Sequence, residues 1–187
     1  MQEDNFNITL DQIEKFISEE YIVSGIVTEL PGEIDLNFRI KKSERENFIF
    51  KIFNPKEALG RIDFQQNILH HISQNASEDV VFPKVIPNKE NEPFGIIKDT
   101  QGITRNVLLI SWIPGRLWSS VNPKLEDLYF SLGEKAGGLT QALQGFSHQM
   151  AEIDLVWDIA KSLWTKDFLH LFAPQEKNIL SYFQRHF

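Results

Sequence analysis

One lysine limits what this chain can become. Lys51 lies in the run Phe48-Ile49-Phe50-Lys51-Ile52-Phe53, whose aromatic and β-branched residues predict a buried strand. An ammonium on such a strand is costly unless an anion meets it. The other arrangement is a lysine at a sheet edge, its aliphatic stem on apolar surface and its head in water. A glycine turn precedes the strand at Pro31-Gly32, and helix-starting residues follow it at Asn54-Pro55.

The elements around Lys51 can be read in order. Thr9-Leu10-Asp11-Gln12 has the form of a capping box, and Leu10, Ile13, Phe16 and Ile17 recur at helical spacing. This predicts a helix ending near Tyr21. Extended runs then reach from Tyr21 to Leu30, Asn37 to Lys41 and Phe48 to Phe53, separated by Pro31-Gly32 and by the polar stretch from Lys42 to Glu46. Three antiparallel strands are expected. Asn54-Pro55-Lys56-Glu57 offers an N-cap, a proline at the first helical position and a glutamate three residues after the cap. Ile62, Gln65, Leu69 and Ile72 would line one stripe of that helix, although Gly60 weakens its first turns by about 1 kcal/mol relative to alanine. Val80 to Ile86 is again extended, and Phe94 to Lys98 pairs with Ile103 to Trp112 across the turn Asp99-Thr100-Gln101-Gly102. The sequence up to residue 115 therefore predicts an α+β lobe, a five-stranded antiparallel sheet carrying one helix after its third strand.

Pro114-Gly115 marks a change of regime, which sets a boundary between residues 1–115 and 116–187. Beyond it, Asn122-Pro123 starts a helix to about Phe146 with Leu125, Leu128, Leu132, Ala136, Leu139 and Leu143 as its apolar stripe. Trp157, Ile159, Leu163 and Trp164 predict another helix. Pro174 opens a last one through Ile179, Leu180 and Phe183.

Composition narrows the classes of partner. A chain of 187 residues that is 42% hydrophobic can bury the core of one large domain or two small lobes. The net charge is -7 and the basic pair Lys41-Lys42 sits beside Glu44 and Glu46, so no nucleic acid is expected. The absence of cysteine excludes disulfides and Cys-ligated zinc. Met1 to Asn5 lacks the basic and apolar blocks of a signal peptide, and no apolar run reaches membrane-spanning length. The expectation is a cytoplasmic chain without a membrane partner.

Glycine turn, strand lysine and helix, in that order, have the layout of a kinase ATP site. There the lysine holds the α- and β-phosphates and an acid on the next helix holds the lysine. The loop Gly32-Glu33-Ile34-Asp35-Leu36-Asn37 stands where backbone amides would cover those phosphates. It reads equally as a hairpin turn in which Asp35 and Asn37 hydrogen-bond locally. Leu108 to Gly115 is a strand running into a stiffened turn, either a plain interdomain connection or a hinge offering main-chain groups of Ser111 and Ile113 to an adenine edge. The other polar candidates carry less. His70 and His71 are adjacent on a helix and cannot form a helical metal pair, while His148, His170 and His186 are isolated. Ser119-Ser120 lacks the flanks of a nucleophile elbow. The four tryptophans read as core or interface residues.

The run from Ile26 to Phe53, the helix containing Ile62-Asp63-Phe64-Gln65-Gln66-Asn67, the hinge ending Ile113-Pro114-Gly115-Arg116, and Leu132-Gly133-Glu134-Lys135-Ala136 together resemble the aminoglycoside phosphotransferase family. Within it the nearest resemblance is to hydroxylysine kinase and to the kinase-like domains fused to class III aminotransferases. The resemblance implies a protein-kinase-like fold and ATP-dependent phosphorylation of a hydroxyl on a small amine-bearing molecule. It makes Lys51, Gly32, Asn37, Gln65, Ser111 and Ile113 the cofactor-binding residues. By spacing Gln65 stands at the helix position that usually carries the lysine's glutamate, with Asp63 and Gln66 nearby, and a neutral amide cannot neutralise Lys51. The family's catalytic aspartate, the asparagine of the same loop and the later metal-binding aspartate have no counterpart up to Phe187. No catalytic and no metal-binding residue is therefore assigned.

Three readings follow. The first is the N-terminal portion of such a kinase, inactive alone, with ATP binding weak or lost and magnesium belonging to the complete enzyme. In it the exposed apolar stripes would meet a missing C-terminal region or drive self-association. The second is a non-catalytic nucleotide-binding or regulatory module. The third is an α+β interaction domain in which Lys51 is structural.

Overall fold

The computed structural model describes residues 7–32, 34–54, 58–152 and 158–186. The chain forms two compact units, Met1–His148 and Gln149–Phe187.

The first unit opens with α1, Leu10–Tyr21, and its capping box forms as the sequence predicts. The Gln12 amide donates to Thr9 Oγ1 at 3.3 Å, and the Thr9 amide donates to Gln12 Oε1 at 2.9 Å. Ile13, Ile17 and Tyr21 fall on one buried face. The sheet that follows consists of β1 (Ile26–Leu30), β2 (Leu36–Lys41), β3 (Asn47–Ile52), β4 (Val85–Ile86), β5 (Gly95–Lys98) and β6 (Thr104–Ser111), with α2 (Ala58–Asn75) inserted after β3. The proline and glutamate expected to start α2 lie outside the described residues.

All the pairings are antiparallel, in the order β1-β2-β3-β6. The expected five strands are six, because the extended stretch ending at Ile86 also joins the sheet. β5 pairs with residues 104–107 of β6 and β4 with Leu109 and Ile110, so the two short strands share one edge of β6. The sheet remains five strands wide.

Its two faces differ in how they are closed. Phe38, Ile40, Phe50, Ile52, Val107 and Leu109 meet Ile13, Ile17 and Tyr21 of α1 in the main core. On the other face only a small cluster forms, Phe53 and Leu108 with Ile62 of α2. Alternation along β3 places Ile49 and Lys51 on this second, more open face.

Beyond β6 lies α3, Glu126–Ala142, which is shorter than the helix expected from Asn122 to Phe146. Residues 121–125 are not helical, and at its far end the chain turns through Gly145, at φ 77. α3 follows the change of regime at Pro114-Gly115 yet belongs to the same compact unit as the sheet. A Cβ at Gly138 would stand 3.0 Å from the Val80 side chain, a tight approach between α3 and the stretch before β4. The apolar stripe of α3 is largely uncovered, with Leu125 65% and Leu132 51% exposed.

In the second unit a 3₁₀ segment, Ile159–Leu171, is interrupted at Lys161, and α4 covers Pro174–His186. The sequence predicts an α-helix where this 3₁₀ segment stands, and Trp157 lies outside the described residues. Among the described residues no helix is long and apolar enough to cross a membrane.

The β5–β6 turn is closed by a buried acid. Asp99 Oδ1 accepts from the Gln101 and Ile103 amides at 3.0 and 2.9 Å, and Arg105 Nε donates to Oδ2 at 3.2 Å. Burial works against ionisation of Asp99, but those two amides and the guanidinium outweigh it and hold its carboxyl below the ordinary value of 3.8. A depressed folded-state pKa contributes stability that is present above the unfolded value and is lost as pH falls through the folded one. The thermal midpoint should accordingly fall on acidification below about pH 4, and Asp99→Asn should flatten that fall. Parallel pH profiles of the two proteins would count against this role of Asp99.

Candidate functional site

Lys51 stands at the centre of the sheet's open face. Its ladder partners are Asn37 on β2 and Leu108 on β6, and directly opposed residues of an antiparallel ladder share a face. Its Nζ lies 3.1 Å from Asp35 Oδ2 and 5.2 Å from the centre of the Phe53 ring. The anion that a strand lysine requires is thus supplied from within the chain.

Asp35 precedes β2 directly, and its side chain is only 3% exposed. Arg61 of α2 grips it in a fork, NH1 to Oδ1 at 3.2 Å and NH2 to Oδ2 at 2.8 Å. The Asn54 amide donates to Oδ1 at 3.1 Å. One buried carboxylate therefore receives an ammonium, a bidentate guanidinium and a backbone amide, which offsets the cost of burying its charge.

The turn is shaped to deliver that carboxylate. A Cβ on Gly32 would stand 2.2 Å from the Asp35 carbonyl oxygen, so only glycine fits there. Asn37 Nδ2 donates to the same carbonyl at 3.2 Å. Of the two readings of this loop, the local hydrogen bonding of Asn37 is present in the structure. Gln65, the expected helix partner of Lys51, is not joined to it. The α2 residue that reaches the centre is Arg61, one turn earlier and a cation, and the acid comes from the loop instead. Sequence reasoning treated Asp35 only as a turn residue and did not single out Arg61. The alternation that puts residues 35 and 37 on one side of the chain, with Asn37 opposite Lys51, was the available sign.

Lys51 spends one of the three donors of its ammonium on Asp35, and its side chain keeps 20% exposure. Counted together, two cations share one carboxylate. Among the described residues, the centre retains one positive charge.

The expected hinge follows β6 directly. Ser111 ends β6, where its amide donates to the Lys84 carbonyl and its hydroxyl accepts from the Lys84 amide, both at 2.8 Å. The Trp112 amide donates to Asn47 O at 3.1 Å. The amide and hydroxyl of Ser111 are thus committed to the sheet edge, whereas no hydrogen bond of the Ile113 amide is found among the described residues. Ile49, Pro83 and residues 111–117 line a hollow of about 420 Å³. Ile49 is two residues from Lys51 on β3 and on the same face, so the lysine stands next to a lining residue without itself lining the hollow. Arg39 covers the Trp112 ring at 4.6 Å and donates to Asn47 Oδ1 at 2.9 Å.

The histidines belong elsewhere. His148 Nε2 lies 2.8 Å from Asp63 Oδ2, and His71 Nε2 lies 3.2 Å from the Gln144 carbonyl. These contacts tie α2 to the segment after α3. Among the described residues no group of three or more histidine, aspartate or glutamate side chains is placed to hold a metal ion.

In sequence, residues 26–181 match the model of a family described as the phosphotransferase enzyme family, APH. No curated protein matches the chain. Its structure is similar to that of the amicoumacin kinase hAmiN in complex with AMP-PNP, Ca2+ and Ami, at a TM-score of 0.62 and 15% identity, covering 96% of this chain and 52% of that one. It is similar to spectinomycin phosphotransferase APH(9)-Ia in complex with ADP and spectinomycin, at a TM-score of 0.55 and 12% identity, covering 85% and 47%. A microcompartment-associated aminopropanol kinase gives a TM-score of 0.56 and 16% identity, covering 80% and 45%. These show a shared fold, and the chain spans about half the length of each of the structures.

Gly32→Ala tests whether the turn delivers Asp35. The added methyl must displace the Asp35 backbone, at a cost of about 1–3 kcal/mol as for other overpacked sites, read by denaturant unfolding. Unchanged stability would show that the turn is not fixed by this approach.

Proposed function

Because the chain belongs to the phosphotransferase enzyme family, we propose that it supplies the nucleotide-binding part of an ATP-dependent kinase that phosphorylates a hydroxyl on a small, amine-bearing molecule. In this reading residues 1–115 form the lobe that holds the nucleotide and residues 116–187 begin a helical second lobe. The observation that carries it is the placement of Lys51 beside the hollow at residues 111–117, with donors to spare and a positive charge left over after Asp35 is counted.

The residues present fit a nucleotide. The hollow is walled by Ile49 and by the hinge, and the Ile113 amide is the main-chain donor suited to an adenine edge. Lys51 would hold phosphate oxygens by charge-assisted hydrogen bonds. The same residues do not provide for magnesium, since no carboxylate cluster is placed for it among the described residues. Phosphoryl transfer requires groups that orient the acceptor hydroxyl and spread the developing charge, and we assign that work to residues other than these. The uncovered stripe of α3 is, in the same reading, the surface on which further helices of a complete phosphotransferase pack.

A non-catalytic nucleotide-binding module is the second reading, favoured by the departure at Gln65. Neither reading expects phosphoryl transfer from these residues alone. ADP binding by calorimetry tests both, and Lys51→Ala should weaken it by about 1–3 kcal/mol, the range of a charge-assisted contact. Equal affinity of the two proteins would return Lys51 to a structural role, and no ADP binding by either would leave an α+β interaction domain.

A further inference from the structure

We propose that Asp35 and Arg61 are the positioning residues of this site. Asp35 takes the part that an acid on α2 would play, and Arg61 locks it to α2. The inference rests on the nucleotide-binding reading of Lys51 and names the groups that set where its ammonium stands.

The argument begins from the carboxylate. Asp35 Oδ2 takes both Lys51 Nζ and Arg61 NH2, while Oδ1 takes Arg61 NH1 and the Asn54 amide. A carboxylate held on both oxygens by a planar fork and on one by a backbone amide cannot rotate, so it fixes the lysine as a freely turning acid would not. The pair is also unbalanced. Lys51, Arg61 and Asp35 together leave one positive charge on the open face.

The identity of the helix residue follows from this. With the acid arriving from the β1–β2 turn, an acid on α2 would place two anions at one lysine and cancel the charge that attracts phosphate. A cation on α2 instead holds the loop's acid, and Gln65 is relieved of the role. The turn, β3 and α2 then meet at one point. A phosphate bound by Lys51 is registered against the turn that would cover it.

The test uses the full chain, with ADP and adenosine as probes in calorimetry. Asp35→Asn should weaken ADP about tenfold, the scale of a lost charge-assisted contact, and leave adenosine unchanged, because only the phosphate end depends on the lysine's position. In a Lys51→Ala background the same substitution should change ADP affinity less than about twofold, since coupled residues are not additive. Arg61→Lys keeps the charge but loses the fork, and should reproduce part of the ADP loss in a protein whose folding is less at risk. An amine-directed acylating reagent, read by peptide mass, should label Lys51 several times faster in Asp35→Asn, which checks the pairing without any nucleotide.

Other outcomes overturn the proposal. Tighter ADP binding by Asp35→Asn would make Asp35 a competitor of phosphate. Equal losses for ADP and adenosine, or additive losses with Lys51→Ala, would make it a structural residue. Unchanged labelling of Lys51 would dissolve the pairing. A wild-type chain that binds neither ADP nor adenosine would instead sink the nucleotide reading itself, a result distinct from binding that survives intact in Asp35→Asn.

Discussion

A carboxylate removed from water loses several kcal/mol of solvation, and only a full set of donors makes its burial tolerable. Asp35 has such a set, and it comes from one later stretch of the chain, residues 51–61: a lysine on β3, the amide that follows that strand, and an arginine on α2. The fold of this region depends on that convergence. Without the anion, Lys51 and Arg61 would stand close together on one face of the sheet as two like charges. With it, the glycine turn, the strand and the helix are fixed to a common point, and the lysine's remaining donors are aimed.

The sheet can carry a charged centre on one face because the other is closed so firmly. α1 seals the main core, where Ile13, Phe50, Ile52, Val107 and Leu109 are completely buried or nearly so. Burial of that apolar area is the main source of stability. The second face is then free to hold residues selected for chemistry. There the apolar cluster shrinks to Phe53, Ile62 and Leu108, and polar residues take the centre.

Much of this was legible in the sequence, and for identifiable reasons. Periodicity gave α1 and its cap, the turn chemistry of Asp99 to Gly102 gave the β5–β6 hairpin, and β-branched and aromatic runs gave the longer strands. Short-range patterns fared less well where long-range geometry decides. Val80 to Ile86 reads as extended, but that Val85 and Ile86 join the sheet depends on the edge that β6 offers beyond β5, which no local pattern states. Lys51 declared itself through the cost of its charge. Its partner did not, because Asp35 lies in a turn where an acidic residue has a local use, and Arg61 looks like any exposed helix cation until the fold brings it 2.8 Å from that acid. The helix from Asn122 was overextended because an Asn-Pro start and a leucine stripe are compatible with several boundaries.

The double attachment of Ser111 to Lys84 bears on how the wall of the hollow can move. Strand β6 is stapled on both edges up to Trp112, by Asn47 on one side and Lys84 on the other. Torsion cannot be taken up before that point. It falls on Ile113 to Gly115, where a side chain on the glycine would meet nothing within 4 Å and the backbone has room to turn. Pro114 fixes its own φ, which leaves rotation to the bonds on either side of it. Such a rotation would carry the outer wall, Arg116 and Leu117, while the floor at Ile49 and the Lys51–Asp35 pair stay with the sheet.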